Sequence, residues 1–308
     1  MIIKNPIGIT NIGDPFVLKH DNMYYLYATS FIDGFNCYTS TDLMNWSKPV
    51  QVYKKSERSF GYKDFWAPEV IFQNNHFIMH YSARWSKNHS LRIGVAISSS
   101  PLGPFVDVYD QEPMFDDHYA VIDGHVFIDD DGKKYFYYNR DCSEYIYNEN
   151  HESHIYVAEM DETYTKRITS PILIAKPEQP WELKTGDWRW NEGAFVFKRK
   201  DLYYLMFSSG FYASETYSIG YAISKNPLGP FMKAKENPIL KTIPGKVSGP
   251  GHNSVIVGPD NQLYCIYHVH TFINEPSQNR QVFIDKISFN NDKLVIEGPT
   301  LGKDESHE

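Results

Sequence analysis

The chain has 308 residues, 42% of them hydrophobic and 16% aromatic with 23 tyrosines, enough apolar surface for one large core. Its formal net charge of −8, from 30 Lys and Arg against 38 Asp and Glu, argues against a nucleic-acid or anionic-membrane partner. No apolar run approaches the roughly 20 residues that cross a bilayer, and Cys37, Cys142 and Cys265 are too scattered for a disulfide frame or a zinc site.

The opening MIIKNPIGITNIGDPF lacks an apolar h-region and a cleavage site, so a cytoplasmic protein is expected. From Asp14 the chain reads DPFVLKHDNMYYLYATS: a short apolar run, a polar turn, then an aromatic-rich run, the pattern of a β-hairpin. The same design returns as APEVIFQNNHFIMHYSA from Ala67, DGHVFIDDDGKKYFYYNR from Asp123, EGAFVFKRKDLYYLMFSSG from Glu192 and HNSVIVGPDNQLYCIYHVH from His252. With Tyr24, Phe77, Tyr135, Tyr203 and Tyr264 as equivalent, the copies lie 53, 58, 68 and 61 positions apart, a period near that of propeller blades. A further repeat fixes the third strand: IGVAISSSPLGPF at 93–105 and IGYAISKNPLGPF at 219–231 agree at ten of thirteen positions. No linker or charge block divides the chain. The expectation is an all-β five-bladed β-propeller over residues 1–308, with blades starting near 14, 67, 123, 192 and 252 and a frayed tail GKDESHE.

First strands of propeller blades line a central channel. Asp14, Asp123, Glu192 and His252, each opening a copy, are therefore expected to converge at one end of it. Carboxylates gathered out of bulk water cannot all ionise at ordinary pH, so at least one becomes a proton donor near neutrality, which suits general acid and base work. Each acid also has a plainer reading: Asp-Pro and Asp-Gly form turns, and a lone histidine is often only a hydrogen-bonded support. Their joint recurrence favours the site. Glu69, two positions beyond Ala67, is left unassigned. Asp129, Asp130 and Asp131 fit a solvated hairpin tip, and His268 and His270 alternate across one strand. Arg280 is either a surface ion-pair partner or a fork for vicinal hydroxyls. Trp66, Phe35, Trp190 and Tyr212 sit near the same hairpin ends, as hydrophobic caps or sugar platforms.

With DPFV, WAPEV, IDGHVFIDDDG, NEGAFV and GPGHNSVIVGPD in this order, the chain resembles glycoside hydrolase family 43, and the likeness runs through nearly all of it. The resemblance implies a five-bladed propeller that hydrolyses arabinofuranosyl or xylosyl linkages with inversion. It assigns Asp14 as general base, Asp123 as the carboxylate that positions the acid and tunes its pKa, and Glu192 as general acid. His252 corresponds to a channel histidine that in many members binds calcium or its waters; no cofactor is needed for the chemistry. Arg280 and Phe35 are expected beside the sugar, and Trp66 as its aromatic wall. Arabinose- or xylose-containing oligosaccharides are the expected partners, with exo-acting α-L-arabinofuranosidase or β-xylosidase activity. The alternatives are an endo-1,5-α-L-arabinanase of the same family, a glycoside phosphorylase or a non-catalytic carbohydrate-binding propeller. The chain as given also ends before the C-terminal β-sandwich of many exo-acting members, so loops 107–120 and 140–153 are candidates to close the pocket.

Overall fold

A computed structural model describes residues 1–302, so most of the tail read as frayed lies outside it. Among the described residues there is no helix, and the strands form five antiparallel sheets of four, each following the chain, plus one small three-stranded sheet. The first strands of the five are Gly13–His20, Gly61–Gln73, Val121–Ile128, Glu192–Arg199 and Gly251–Val257. Polar turn residues create the hairpins locally. Asp21 and Asn22 (φ 48° and 59°), like Asn74 and Asn75 (φ 52° and 60°), take the left-handed region at both central positions, the geometry that matches strand twist in a two-residue hairpin.

The second strands explain the aromatic density. Side chains alternate between the two faces of a strand, and here both faces are covered. In Lys134–Arg140, Phe136 and Tyr138 pack toward Ile78 and Ile93 of the second sheet, while Tyr135 and Tyr137 pack toward Leu205 and Phe207 of the fourth. Five such clusters lie one between each neighbouring pair of sheets, the last joining Tyr264 and Ile266 of the fifth sheet to Tyr24 and Leu26 of the first. The first strands likewise touch one another in turn, and the fifth returns to the first. Backbone bonds seal this seam: Ile7 N–H to Val282 O (3.2 Å), Val282 N–H to Ile9 O (3.0 Å) and Ile12 N–H to Arg280 O (3.3 Å) stitch the start of the chain to the last sheet.

Every first strand carries a bulge, one extra residue against the second strand. The irregular intervals are Gly13 to Phe16, Trp66 to Glu69, Ile122 to His125, Glu192 to Phe195 and Gly251 to Ser254. The residue after the start of each interval has positive φ: Asp14 54°, Ala67 46°, Asp123 57°, Gly193 59° and His252 49°. Here the structure corrects the repeat. Glu192 is not the equivalent of Asp14 and Asp123; Gly193 fills that slot, and Glu192 matches Gly13, Trp66, Ile122 and Gly251.

Candidate active site

Bulges re-aim side chains, and among the slot residues Asp14, Asp123 and His252 come to line one cavity. The slot amides are tied to the preceding sheet. Ala67 N–H donates to Thr29 Oγ1 (2.8 Å), Asp123 N–H to Ser82 Oγ (2.9 Å), His252 N–H to Ser208 Oγ (2.7 Å) and Asp14 N–H to His268 Nδ1 (3.1 Å). Gly193 N–H instead donates to Asp123 Oδ2 (3.1 Å). A cavity of about 580 Å³ opens above this layer, with Asp14, Asp123, Glu192, His252 and Arg280 all on its lining.

Asp14 is enclosed by donors. Its Oδ1 lies 3.0 Å from Arg280 Nη1 and 3.3 Å from His252 Nδ1, and its Oδ2 accepts the Thr29 hydroxyl at 2.6 Å. Burial alone would push this carboxyl up, but the Arg280 guanidinium, the His252 imidazole and the Thr29 hydrogen bond hold it well below the usual carboxylate range. His268 is itself fully buried, which pushes it well below the usual histidine range, and its Nδ1 accepts the Asp14 amide. It is therefore neutral, and Arg280 supplies the countercharge. Gly13 makes this pairing sterically feasible, because a Cβ there would stand 2.0 Å from Arg280 Cζ.

Glu192 has the opposite surroundings. Burial, then the nearby charge of Asp123, with Asp141 and Asp14 behind it, push its carboxyl well above the usual range, opposed by one hydrogen bond from Tyr217 Oη (2.8 Å). Asp123 is also pushed up, by burial first, with His252 and the Gly193 amide opposing and Asp14 and Asp141 adding. Each carboxyl disfavours ionisation of the other, so together they hold a proton more tightly than an isolated carboxylate does.

Trp66, half-buried, lines the cavity together with Trp190 and Tyr212, whose ring lies 5.1 Å from the Arg280 guanidinium. Phe35 does not. It is fully buried against Tyr53, Phe65 and Tyr81, so it has no face to offer a sugar and is a core residue. Glu69, left open above, faces inward one layer below the slots and pairs with His125 Nδ1 (2.7 Å), whose Nε2 accepts Val196 N–H (3.0 Å). Calcium at His252 is not shown: its Nδ1 lies 3.3 Å from Asp14 Oδ1, and among the described residues there is no group of three or more His, Cys, Asp or Glu placed to hold a metal ion.

Asp141 and Tyr217, two lining residues that act on Glu192, were missed. Asp141, at the end of the third sheet's second strand, had no distinguishing signal beyond a buried acid beside Cys142. Tyr217 had one: it stands two residues before the repeated Ile-Gly of IGYAIS, where the second sheet has Leu91, and both line the cavity. Gly251 makes room for it, since a Cβ there would stand 1.9 Å from the Tyr217 ring.

A family model described as glycosyl hydrolases family 43 matches residues 3–295. The chain is 27% identical to a β-D-galactofuranosidase, xynD, of Aspergillus niger, over 93% of this chain and 82% of that one. It is 27% identical to xylosidase/arabinosidase 43A of Humicola insolens, over 77% of this chain and 76% of that one. Among solved structures, a thermostable family-43 glycoside hydrolase superposes with a TM-score of 0.93 at 48% identity, covering 97% of both chains.

Proposed function

The chain belongs to glycosyl hydrolase family 43, and from that premise we propose that it is an inverting glycosidase on a five-bladed β-propeller that releases terminal arabinofuranosyl or xylosyl residues from oligosaccharides. The circuit of five four-stranded sheets supports the propeller. The observation that carries the chemistry is the contrast across one cavity: an aspartate held by Arg280 and Thr29, and a buried glutamate whose side chain, among the described residues, meets a single donor, Tyr217. Glu192 is the acid. It keeps its proton until the glycosidic oxygen departs, because ionising it would put a second charge beside Asp123 in a desolvated site. Asp14 is the base. It is ionised when the substrate binds and takes a proton from the attacking water, which becomes acidic as it bonds to the anomeric carbon, so a weak but fixed carboxylate is sufficient. Asp123 holds Gly193 N–H and raises Glu192 by its charge, and Arg280 orients Asp14 and offers its remaining N–H groups to sugar hydroxyls.

The arabinose or xylose choice rests on relatives named xylosidase/arabinosidase and galactofuranosidase, which suggest a furanose or pentose ring at the cleaved bond. The test is a panel of aryl glycosides and arabino- and xylo-oligosaccharides, with product stereochemistry read by NMR. Release of terminal pentose with inverted anomeric configuration is expected. Retention would overturn the roles of Asp14 and Glu192, and cleavage of internal arabinan bonds alone would replace exo with endo action.

A further inference from the structure

The three-stranded sheet of Ile146–Tyr147, Asn150–Glu152 and Trp188–Arg189 stands outside the five-sheet pattern. Its last strand runs directly into Trp190, Asn191 and Glu192. Trp188 stacks flat on His151, with ring centroids 3.9 Å apart and planes within 1°. The imidazole is fixed in turn, as His151 Nδ1–H donates to the Cys142 carbonyl (2.9 Å). Backbone bonds from His151 N–H to Asp187 O (2.7 Å), Ser153 N–H to Arg189 O (2.9 Å) and Asn191 N–H to Ser153 O (3.1 Å) hold the strand rigid. From Trp188 the aromatics continue inward: Trp190 at 6.4 Å, then Phe211 at 5.6 Å from Trp190, then Tyr212 at 5.0 Å from Phe211. Trp190, Phe211 and Tyr212 line the cavity, yet Trp188 is 43% and Phe211 41% exposed.

Trp188, backed by a fixed imidazole and 43% exposed, continues through Trp190 to Phe211, so the exposed rings form one contiguous apolar patch of the kind that marks a binding surface. Its continuity with the cavity says which molecule covers it. We infer that Trp188, with Trp190 and Phe211, forms an aromatic shelf for the leaving-group portion of the substrate, so that the preferred substrate is an oligosaccharide with several sugar units beyond the cleaved bond. The side is fixed by Glu192: an acid that protonates the departing oxygen stands beside the leaving group, and the shelf extends from the Glu192 strand. Flat rings stack on the apolar faces of sugars without demanding one pattern of hydroxyls, and a preformed shelf loses little entropy on binding.

This inference rests on Glu192 as the acid. Wild type, Trp188→Ala and Trp188→Phe are compared on an aryl monoglycoside and on pentose oligosaccharides of increasing length, of the arabino or xylo series that the enzyme cleaves. In the wild type kcat/KM should rise with length, and in Trp188→Ala the ratio of the longest oligosaccharide to the aryl glycoside should fall on the order of tenfold. Trp188→Phe, which keeps a flat ring, should restore most of it. An unchanged ratio in Trp188→Ala overturns the shelf, as does an equal loss in both variants, which would indicate disturbed strand pairing. If the wild type cleaves none of these glycosides, the proposed function fails instead. The shelf is then read by tryptophan-fluorescence titration with the same oligosaccharides, where equal affinity in wild type and Trp188→Ala overturns it.

Discussion

Removing the Tyr217 hydroxyl tests the assignment of Glu192 directly, because it changes one hydrogen bond to that carboxyl while the charges around it stay. The Tyr217 O–H donates to Glu192 Oε1 at 2.8 Å in a fully buried setting and favours the ionised form. A hydrogen bond to a charged group is worth about 1.5–3 kcal/mol and one to a neutral group about 0.5–1.5, so the ionised form loses about 1–1.5 kcal/mol more than the protonated form in Tyr217→Phe. At about 1.36 kcal/mol per unit, that raises the Glu192 pKa by roughly one unit. The acid must be protonated to act, so the alkaline limb of kcat/KM against pH should move up by about one unit. The ring is retained, so its stacking on His268, with centroids at 5.5 Å, keeps the substitution local. The assay is hydrolysis of an aryl glycoside with a poor leaving group across the pH range, with unfolding followed in parallel. An alkaline limb that stays in place, or moves down, would refute Glu192 as the acid.

Asp123→Asn should move the same limb the other way: it removes the like charge that holds Glu192 up, so the acid ionises at lower pH, which the same pH–rate series reads. Gly13→Ala should displace the Arg280 guanidinium from Asp14, since the added Cβ would overlap the flexible end of that side chain and not backbone. With its countercharge gone the Asp14 carboxyl rises, so the acid limb should move up and kcat/KM should fall toward the level of Arg280→Ala; a profile identical to the wild type would contradict the role given to Arg280. Glu192→Gln should abolish hydrolysis of unactivated disaccharides, a loss of about 10²–10⁴-fold, and yet stabilise the fold in alkali. The sign follows from linkage: the folded pKa is raised, so between the unfolded value near 4.3 and the folded value the folded state binds more protons, and wild-type stability falls as pH rises. The Tm advantage of Glu192→Gln should therefore grow as pH rises above about 4.3, and a pH-independent difference would sink the claim.

Much of this arrangement was legible because the repeat is written in side chains that burial requires. The hairpins follow from polar turns between apolar runs, and the aromatic second strands from sheets covered on both faces. Asp14, Asp123, Glu192, His252, Arg280 and Trp66 meet in one cavity because repeat position translates into place around a ring. The failures have local causes. Phe35 lies at a hairpin end, but its side chain points between sheets, and strand parity there could not be fixed without the bulges. Asp141 and His268 come from the ends of second strands, where nothing in composition separates an inward from an outward residue. The offset of Glu192 was readable in principle. Val17, Val70, Val126, Val196 and Val255 each stand three residues beyond a slot, and aligning on them places Gly193, not Glu192, opposite Asp14.

That one-residue offset gives the two carboxyls their different chemistry. A slot residue sits at positive φ, a conformation costing about 1–3 kcal/mol for residues other than glycine, and the slot amides are held by bonds across the sheet seam. Asp14, in its slot, is thereby pinned within reach of Thr29 below and of Arg280 beside it, and the donors on both oxygens keep it ionised. In the fourth sheet glycine fills the slot, and its missing side chain lets the His252 ring stand where a Cβ would come within 3.2 Å. The carboxyl of that sheet is supplied one residue earlier, on a longer side chain, and reaches a place where Tyr217 is its only hydrogen-bond donor among the described residues while Asp123 repels its charge. Had the glutamate occupied the slot, its amide would lie beside Asp123 Oδ2 and its carboxyl would be aimed with the other slot side chains. Moving Glu192 out of the repeat separates its proton affinity from that of Asp14, and the two-sided proton transfer proposed for this pair depends on that separation.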